Sequence, residues 1–315
     1  MNSPIVIDCH YYRPKRMASY LIADKGEAAF IDNNTAKALP YLLQALTDNH
    51  IAAEAVKYLI VTHIHLDHSG GTAALLAHCP NATVVVHPRG APHLINPKRL
   101  VQSAKQVYGE ALFEKLYGTI DPIDRDRVMS AEDGQALDLG SRKLSFLFTP
   151  GHAKHHLVVH DNALNAVFSG DAFGIGYERL QRGTEPYLLC SCPPTDFDAA
   201  ATRDSIQRIV DTGAAKVFVA HYGEFDRVKA AAAIVIESTN RMEQVLGEAL
   251  ESELEGDGLE EFCRGRVRDE LLAQLAVCGV TCDHHDGDVL DPDIFINARG
   301  LRYVVEKRRS HPNLQ

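Results

Sequence analysis

The sequence predicts an α/β protein, and three observations predict it. Short apolar runs of strand length end in small residues, amphipathic stretches of helical period fall between them, and the two textures alternate until about residue 226. Purely helical patterns then take over. With 315 residues and 45% hydrophobic content the chain can bury a large core and carry an appendage. We therefore divide it into an α/β domain, 1–226, with a helical insertion at about 91–128, and a mainly helical appendage, 227–315.

Each element follows from its residues. "ASYLIADKGEAAFIDNN" (18–34) is two strands around an Asp-Lys-Gly turn, in which Gly26 accepts the positive φ that a tight turn demands. "TAKALPYLLQALTDNHI" has helical spacing, "VKYLIVTH" is a strand, "SGGTAALLAHC" opens a helix with Ser69 as its cap, and "TVVVHP" is a strand. In the insertion, Leu100, Val107, Leu112, Phe113 and Leu116 form an apolar side. Strands return with "KLSFLFTPGH", "LVVHD" and "NAVFSGD". A helix capped by Asp196 or Asp198 and a last strand, "AKVFVAHYG", close the core. Within the appendage, "LRYVVEKRR" fits a small β element or a helix end.

Composition bounds the function. Forty-two acidic against 32 basic residues give a net charge of −10, which repels phosphate backbones and anionic membranes. We expect no nucleic-acid partner and no membrane. No apolar run approaches about 18 residues and the N-terminus lacks a signal-type apolar core, so a cytoplasmic protein with its seven cysteines reduced is expected. The expected partner is a small-molecule ester, and the apolar side of the insertion offers a homodimer face.

The chemistry lies in "VTHIHLDHSGG" (61–71), where His63, His65, Asp67 and His68 follow an apolar strand. Residues two apart in an extended segment point the same way, so His63 and His65 can share one metal while Asp67 and His68, past the turn, take a second. His152, Asp171 and His221 also stand at predicted strand ends, and Asp171 has two oxygens with which to bridge both ions. Nitrogen and oxygen donors without a thiolate suit Zn²⁺, with iron or manganese also accepted. His155 and His156 are candidates for contacts behind the ligands. His78, His87, His93 and His160 read as ordinary core or surface histidines. "CGVTCDHHDG" (278–287) lacks the paired spacing of a metal clip with Cys263 and reads as a loop, leaving Cys278, Cys282, His284 and His285 without a role.

His63, His65, Asp67 and His68, followed in order by "TPGH", "SGD" and "AHYG", resemble the metallo-β-lactamase fold superfamily over roughly residues 15–225, specifically its glyoxalase II-like and lactonase-like metal-dependent hydrolases. The resemblance implies a four-layer αββα sandwich with a binuclear site. By motif position it implies His63, His65 and His152 on the first metal, Asp67, His68 and His221 on the second, and Asp171 bridging. The implied activity is hydrolysis of a carboxylic-type ester, thioester or lactone, by a hydroxide held between two divalent ions about 3.5 to 4 Å apart. Asp67 is expected to relay a proton, and Tyr177 to donate to an oxyanion as a tyrosine does in lactonase-like relatives. Arg179, Arg182 and Tyr222 are further candidates for substrate contact.

The chain departs from glyoxalase II in having "GDAFGIGYERLQRG" where a Cys-Gly-Arg stretch is usual, which argues against a glutathione conjugate. It shows neither the nuclease domain nor the basic exosite of the RNA-processing members. The alternatives are a persulfide dioxygenase-type oxygenase with one iron on His63, His152 and Asp171, a phosphodiesterase, and a non-catalytic metal-binding module.

Overall fold

The computed structural model describes residues 3–195 and 197–311, and the chain divides into two units. The first takes in the chain through Phe148, His155–Gly170 and Thr212–Glu224, and the second Thr149–Lys154, Asp171–Asp211 and the chain from Phe225 onward.

The first unit runs β1 (Ile5–Asp8), β2 (Ala18–Asp24), β3 (Glu27–Ile31), α1 (Leu39–Asp48), β4 (Val56–Val61), α2 (Leu66–Ser69), α3 (Thr72–Leu76), β5 (Thr83–Val86), α4 (Ala91–Ile95), α5 (Lys98–Tyr108), α6 (Glu110–Leu116) and β6 (Val128–Ser130). It continues with β7 (Ala136–Leu139), β8 (Arg142–Phe148), β9 (Leu157–Asp161), β10 (Ala166–Phe168), β11 (Lys216–Val219) and β12 (Gly223–Phe225). Strands β1 to β6 form one sheet in sequence order, and the second has the order β12-β11-β10-β9-β8-β7. Lys25 and Gly26, at φ 47 and 83, make the β2–β3 hairpin turn that the sequence predicts.

Period-two alternation sorts the side chains of the first sheet into two cores. Leu21, Phe30, Leu59 and Val84 face Leu42, Leu46, Leu75 and Leu76 of the helices. Tyr20, Ile22, Ile31, Ile60 and Val85 face Leu144, Phe146, Val159, Phe168 and Phe218 of the second sheet. Each such large side chain contributes roughly 1.5–3 kcal/mol by leaving water, so register is strongly fixed and strand ends are reproducibly placed. Between β8 and β9 a buried ion pair, Arg142 Nη1 to Asp161 Oδ2 at 2.6 Å, closes the sheet's flank.

The second unit contains α7 (Ala199–Asp211) and three long helices, α8 (Val228–Glu251), α9 (Gly256–Val277) and α10 (His284–Ser310), packed on a shared core that includes Tyr187, Met242, Leu259, Leu271, Leu290 and Leu301. Asp198 caps α7, its Oδ1 accepting from the Ala201 amide at 3.0 Å, while Asp196 lies outside the described residues. "LRYVVEKRR" is helix, inside α10. "CGVTCDHHDG" is the end of one helix and the start of another: Cys278 follows α9, and Asp283 and Asp286 form a capping box that starts α10.

One local expectation needs correction. Ser69 does not cap the following helix; its Oγ donates to the carbonyls of Ile64 and His65 (3.0 and 3.1 Å), and Gly71 stands at the N-cap of α3 with no side-chain cap. Gly70 and Gly71 serve the backbone of the fold: a Cβ on Gly71 would lie 2.6 Å from the carbonyl oxygens of Asn33 and Thr35, and one on Gly70 2.5 Å from that of Leu66. The insertion is helical, with three short helices, α4 to α6, between 91 and 116 and a 3-10 turn at Arg125–Arg127.

Candidate metal centre

Strand β4 leads directly into Thr62 and His63, and its parallel pairing with β3 and β5 holds that end in the middle of the first sheet. The chain bends through His65 into the single turn of α2, which presents Asp67 and His68 on consecutive residues. His63 Nε2 lies 2.9 Å from His65 Nδ1, and the His63 and His68 ring centroids are 4.0 Å apart. His221, just past β11, brings Nε2 to 3.3 Å from Asp67 Oδ2, which is also 3.9 Å from His68 Nε2. The donor atoms of Asp67, His68 and His221 all fall within 4.8 Å of one another. His63, His68 and His221 are buried.

Behind these donors stands a layer that orients them. Asp32, one residue past β3 and buried, sets Oδ2 2.8 Å from His68 Nδ1, while its Oδ1 accepts from both the amide and the hydroxyl of Thr62 at 2.9 Å. His68 thus carries its proton on Nδ1 and turns the lone pair of Nε2 towards Asp67. The Arg16 carbonyl, 3.1 Å from Nδ1 of His221, fixes the same tautomer there. Thr62 Oγ1 is 3.2 Å from His63 Nδ1. His156 is fully buried and stacks on His63 at 4.8 Å and 25°. Sequence reading missed Asp32, Thr62 and Arg16. A carboxylate ending the apolar run "AAFID" was the signal available for Asp32, whereas a backbone carbonyl leaves none.

In the second unit, His152 Nε2 and Asp171 Oδ2 are 3.6 Å apart and both residues are buried. The turn bearing His152 is seated on α7: Ser205 donates to the Pro150 carbonyl at 2.5 Å, and at Gly151, with φ 130, a Cβ would meet Thr202 Oγ1 at 2.4 Å. Tyr177 lies in the core of this unit and donates to Asp293 Oδ1 at 3.0 Å. Arg179 and Arg182 grip the capping box of α10, Arg179 Nη2 lying 2.8 Å from Asp283 Oδ2 and Arg182 Nη1 3.0 Å from Asp286 Oδ1. These arginines hold a helix start. Tyr222, in the first unit, packs against the inter-sheet core.

A cluster of imidazole nitrogens and a carboxylate, mostly buried and with its rings locked from behind, is costly to bury unless a cation draws the lone pairs together. The donor set fits a divalent metal. The family model of the metallo-beta-lactamase superfamily matches residues 16–221. The chain belongs to the metallo-β-lactamase superfamily. Its fold is accordingly that superfamily's αββα sandwich, here with a helical insertion and C-terminal helices. A solved structure of an archaeal superfamily protein, ST1585 from Sulfolobus tokodaii, aligns with TM-score 0.64 at 21% identity, covering 96% of this chain and 99% of that one. In sequence, the metallo-beta-lactamase fold-containing protein ST1585 of Sulfurisphaera tokodaii is 27% identical over 273 residues, 84% of this chain and 87% of the relative. A hydroxyacylglutathione hydrolase of Stenotrophomonas maltophilia is 31% identical over 172 residues, 54% of this chain and 52% of that enzyme. The human acyl-coenzyme A thioesterase MBLAC2 is 25% identical over 196 residues, 58% and 62% of the two chains.

Proposed function

We propose that this chain is a metal-dependent hydrolase of carboxylic-type esters, acting on acyl thioesters with two zinc ions. The observation that carries the reading is the convergence of Asp67, His68 and His221, two of whose rings are held from behind by Asp32 and the Arg16 carbonyl. In the assignment that the motif order supports, His63, His65 and His152 would hold the first ion and Asp67, His68 and His221 the second, with Asp171 shared between them. Relatives named a hydroxyacylglutathione hydrolase and an acyl-coenzyme A thioesterase support the thioester class.

Bound divalent ions supply a water acidified towards neutrality and a polarised carbonyl. Asp67 holds one oxygen towards His221 and is partly open to solvent, so it is placed to take the proton of the attacking water and pass it to the leaving thiolate. Asp32 keeps His68 from swinging away as charge develops. Tyr177, tied to Asp293, serves packing in this reading and takes no part in the chemistry. We place the reaction in the cytoplasm: the cysteines are all free thiols, and among the described residues no helix is long and apolar enough to cross a membrane.

The test is elemental analysis beside a panel of thioester, lactone and phosphodiester substrates, on wild type and Asp171→Ala. Two zinc ions per chain, thioester cleavage, and loss of both activity and metal in the variant are expected. A variant retaining full metal and full activity would remove the bridge, and one iron with oxygen consumption would remove the hydrolase.

A further inference from the structure

In the second unit, the chain after Asp171 folds into a narrow antiparallel ribbon outside both sheets. Ile175 and Leu189 exchange both amide bonds at 2.9 Å, and further along Gln181 Nε2 donates to the Tyr187 carbonyl at 2.7 Å. One bridged pair is too little to hold such a ribbon, and its buried amides and carbonyls need further partners. The three long helices supply them. Ser238 of α8 accepts from the Cys190 amide at 2.9 Å, and Gln274 of α9 donates to the Leu188 carbonyl. Asn297 of α10 makes two bonds, its Oδ1 accepting from the Cys192 amide at 2.7 Å and its Nδ2 donating to the Cys190 carbonyl at 3.2 Å. One helical turn earlier, Asp293 accepts from the Tyr177 hydroxyl at 3.0 Å, so one face of α10 grips both arms. Gly300, three residues past Asn297, lets the helix come this close, since a Cβ there would overlap the Cys192 carbonyl. Ser238, Gln274, Asp293 and Asn297 are all buried.

Asp171 stands just before this ribbon. Its carbonyl accepts from the Gly174 amide at 3.1 Å, and Gly174 takes φ 83. A Cβ on Gly174 would lie 2.8 Å from the Leu189 carbonyl oxygen and 3.1 Å from Val235 Cγ2 of α8, so the turn is seated directly on the clamped arm. The carboxylate it carries has Oδ2 3.6 Å from His152 Nε2. Helix α7, which seats the turn of His152, is itself tied to α8, Arg203 Nη1 donating to Asn240 Oδ1 at 3.1 Å and to Glu243 Oε2 at 2.7 Å. Both donors thus rest on the C-terminal helices.

We propose that Asn297 is a positioning residue for Asp171, and that the C-terminal helices set the metal affinity of the centre by holding this ribbon. The proposal rests on Asp171 being a metal donor, as in the functional reading above, and gives the appendage a task in it. Removing the Asn297 amide takes a partner from the Cys190 carbonyl and another from the Cys192 amide. The Leu189 arm then loosens and the Asp171 turn loses its seat, although no donor atom has been touched.

The test uses the full chain with zinc alone as the probe. Affinity is read by chelator competition, and amide exchange at Gly174 and Leu189 is read in the metal-free protein with the amides of α9 as internal reference. Asn297→Ala should lower zinc affinity roughly tenfold and speed exchange at both amides relative to α9. Ser238→Ala, a smaller change, should shift both readings the same way and keeps the question open to measurement should Asn297→Ala not fold. Leu290→Ala, which leaves a cavity in the core beneath the same helix, should lower Tm while zinc affinity and relative exchange stay as in wild type. Unchanged affinity in both polar variants, or an equal loss in Leu290→Ala, overturns the proposal. If Asp171→Ala binds zinc as tightly as wild type, the donor role of Asp171 falls instead, and relative exchange alone then decides the clamp: faster in Asn297→Ala upholds it, unchanged overturns it.

Discussion

Oδ2 of Asp32 and Nδ1 of His68 stand 2.8 Å apart with both residues buried, so a carboxylate just past β3 decides which way a candidate metal donor faces. Replacing Asp32 with Asn keeps the volume and removes the charge that holds the tautomer. Asp32→Asn should lower metal affinity by roughly 10–100-fold, read by chelator competition, with the sheet intact by circular dichroism. Unchanged affinity would mean that His68 is aimed by something else.

Gly71 is where the ligand segment touches the segment after β3. Its amide donates to Asn34 O at 2.6 Å, and an added Cβ would sit 2.6 Å from two carbonyl oxygens that have no flexible end to move. Gly71→Ala should cost roughly 1–3 kcal/mol in denaturant unfolding and weaken metal binding, because the segment carrying Asp67 and His68 must shift.

Arg142 and Asp161 form an ion pair out of contact with solvent, and Asp161 also accepts from the amides of Ala163 and Leu164 (3.0 and 3.1 Å). Arg142→Ala leaves that carboxylate buried without its cation. We expect a loss of roughly 3–5 kcal/mol in equilibrium unfolding, with metal content unaffected at low denaturant.

His87 gives the fold a pH dependence. Burial first, then the Arg89 charge, lower its pKa from 6.5 to about 4 against the weaker pull of Asp133, and the ring packs on Phe148 at 4.1 Å. The folded value lies below the unfolded one, so folding favours the neutral ring. That contribution is complete above about pH 6.5 and declines as pH falls towards 4, by at most roughly 3 kcal/mol. His87→Gln should flatten the stability profile across this window in thermal melts of the metal-free protein.

The sequence made much of this visible for a physical reason. A strand buried on both faces must be apolar along its length, so "YLIV", "TVVV" and "VFV" announce themselves, and the polar donors that follow stand out against them. Strands β1, β6, β7 and β12 went unnoticed because each has only three or four residues and lies at a sheet edge, where alternation barely shows. Tyr177, Arg179 and Arg182 drew attention by following Asp171 closely. Their partners, Asp293, Asp283 and Asp286, lie more than 100 residues further on, a distance that no local pattern spans.

The backbone contacts between the donor turn and the chain following β3 also tie the candidate metal centre to the sheet. Asn33 N donates to His68 O at 2.8 Å and Gly71 N to Asn34 O at 2.6 Å, so the placement of Asp67 and His68 depends on a segment that lies outside their own turn. A substitution that loosens the pairing of β3 with β4 should therefore weaken metal binding without touching a donor.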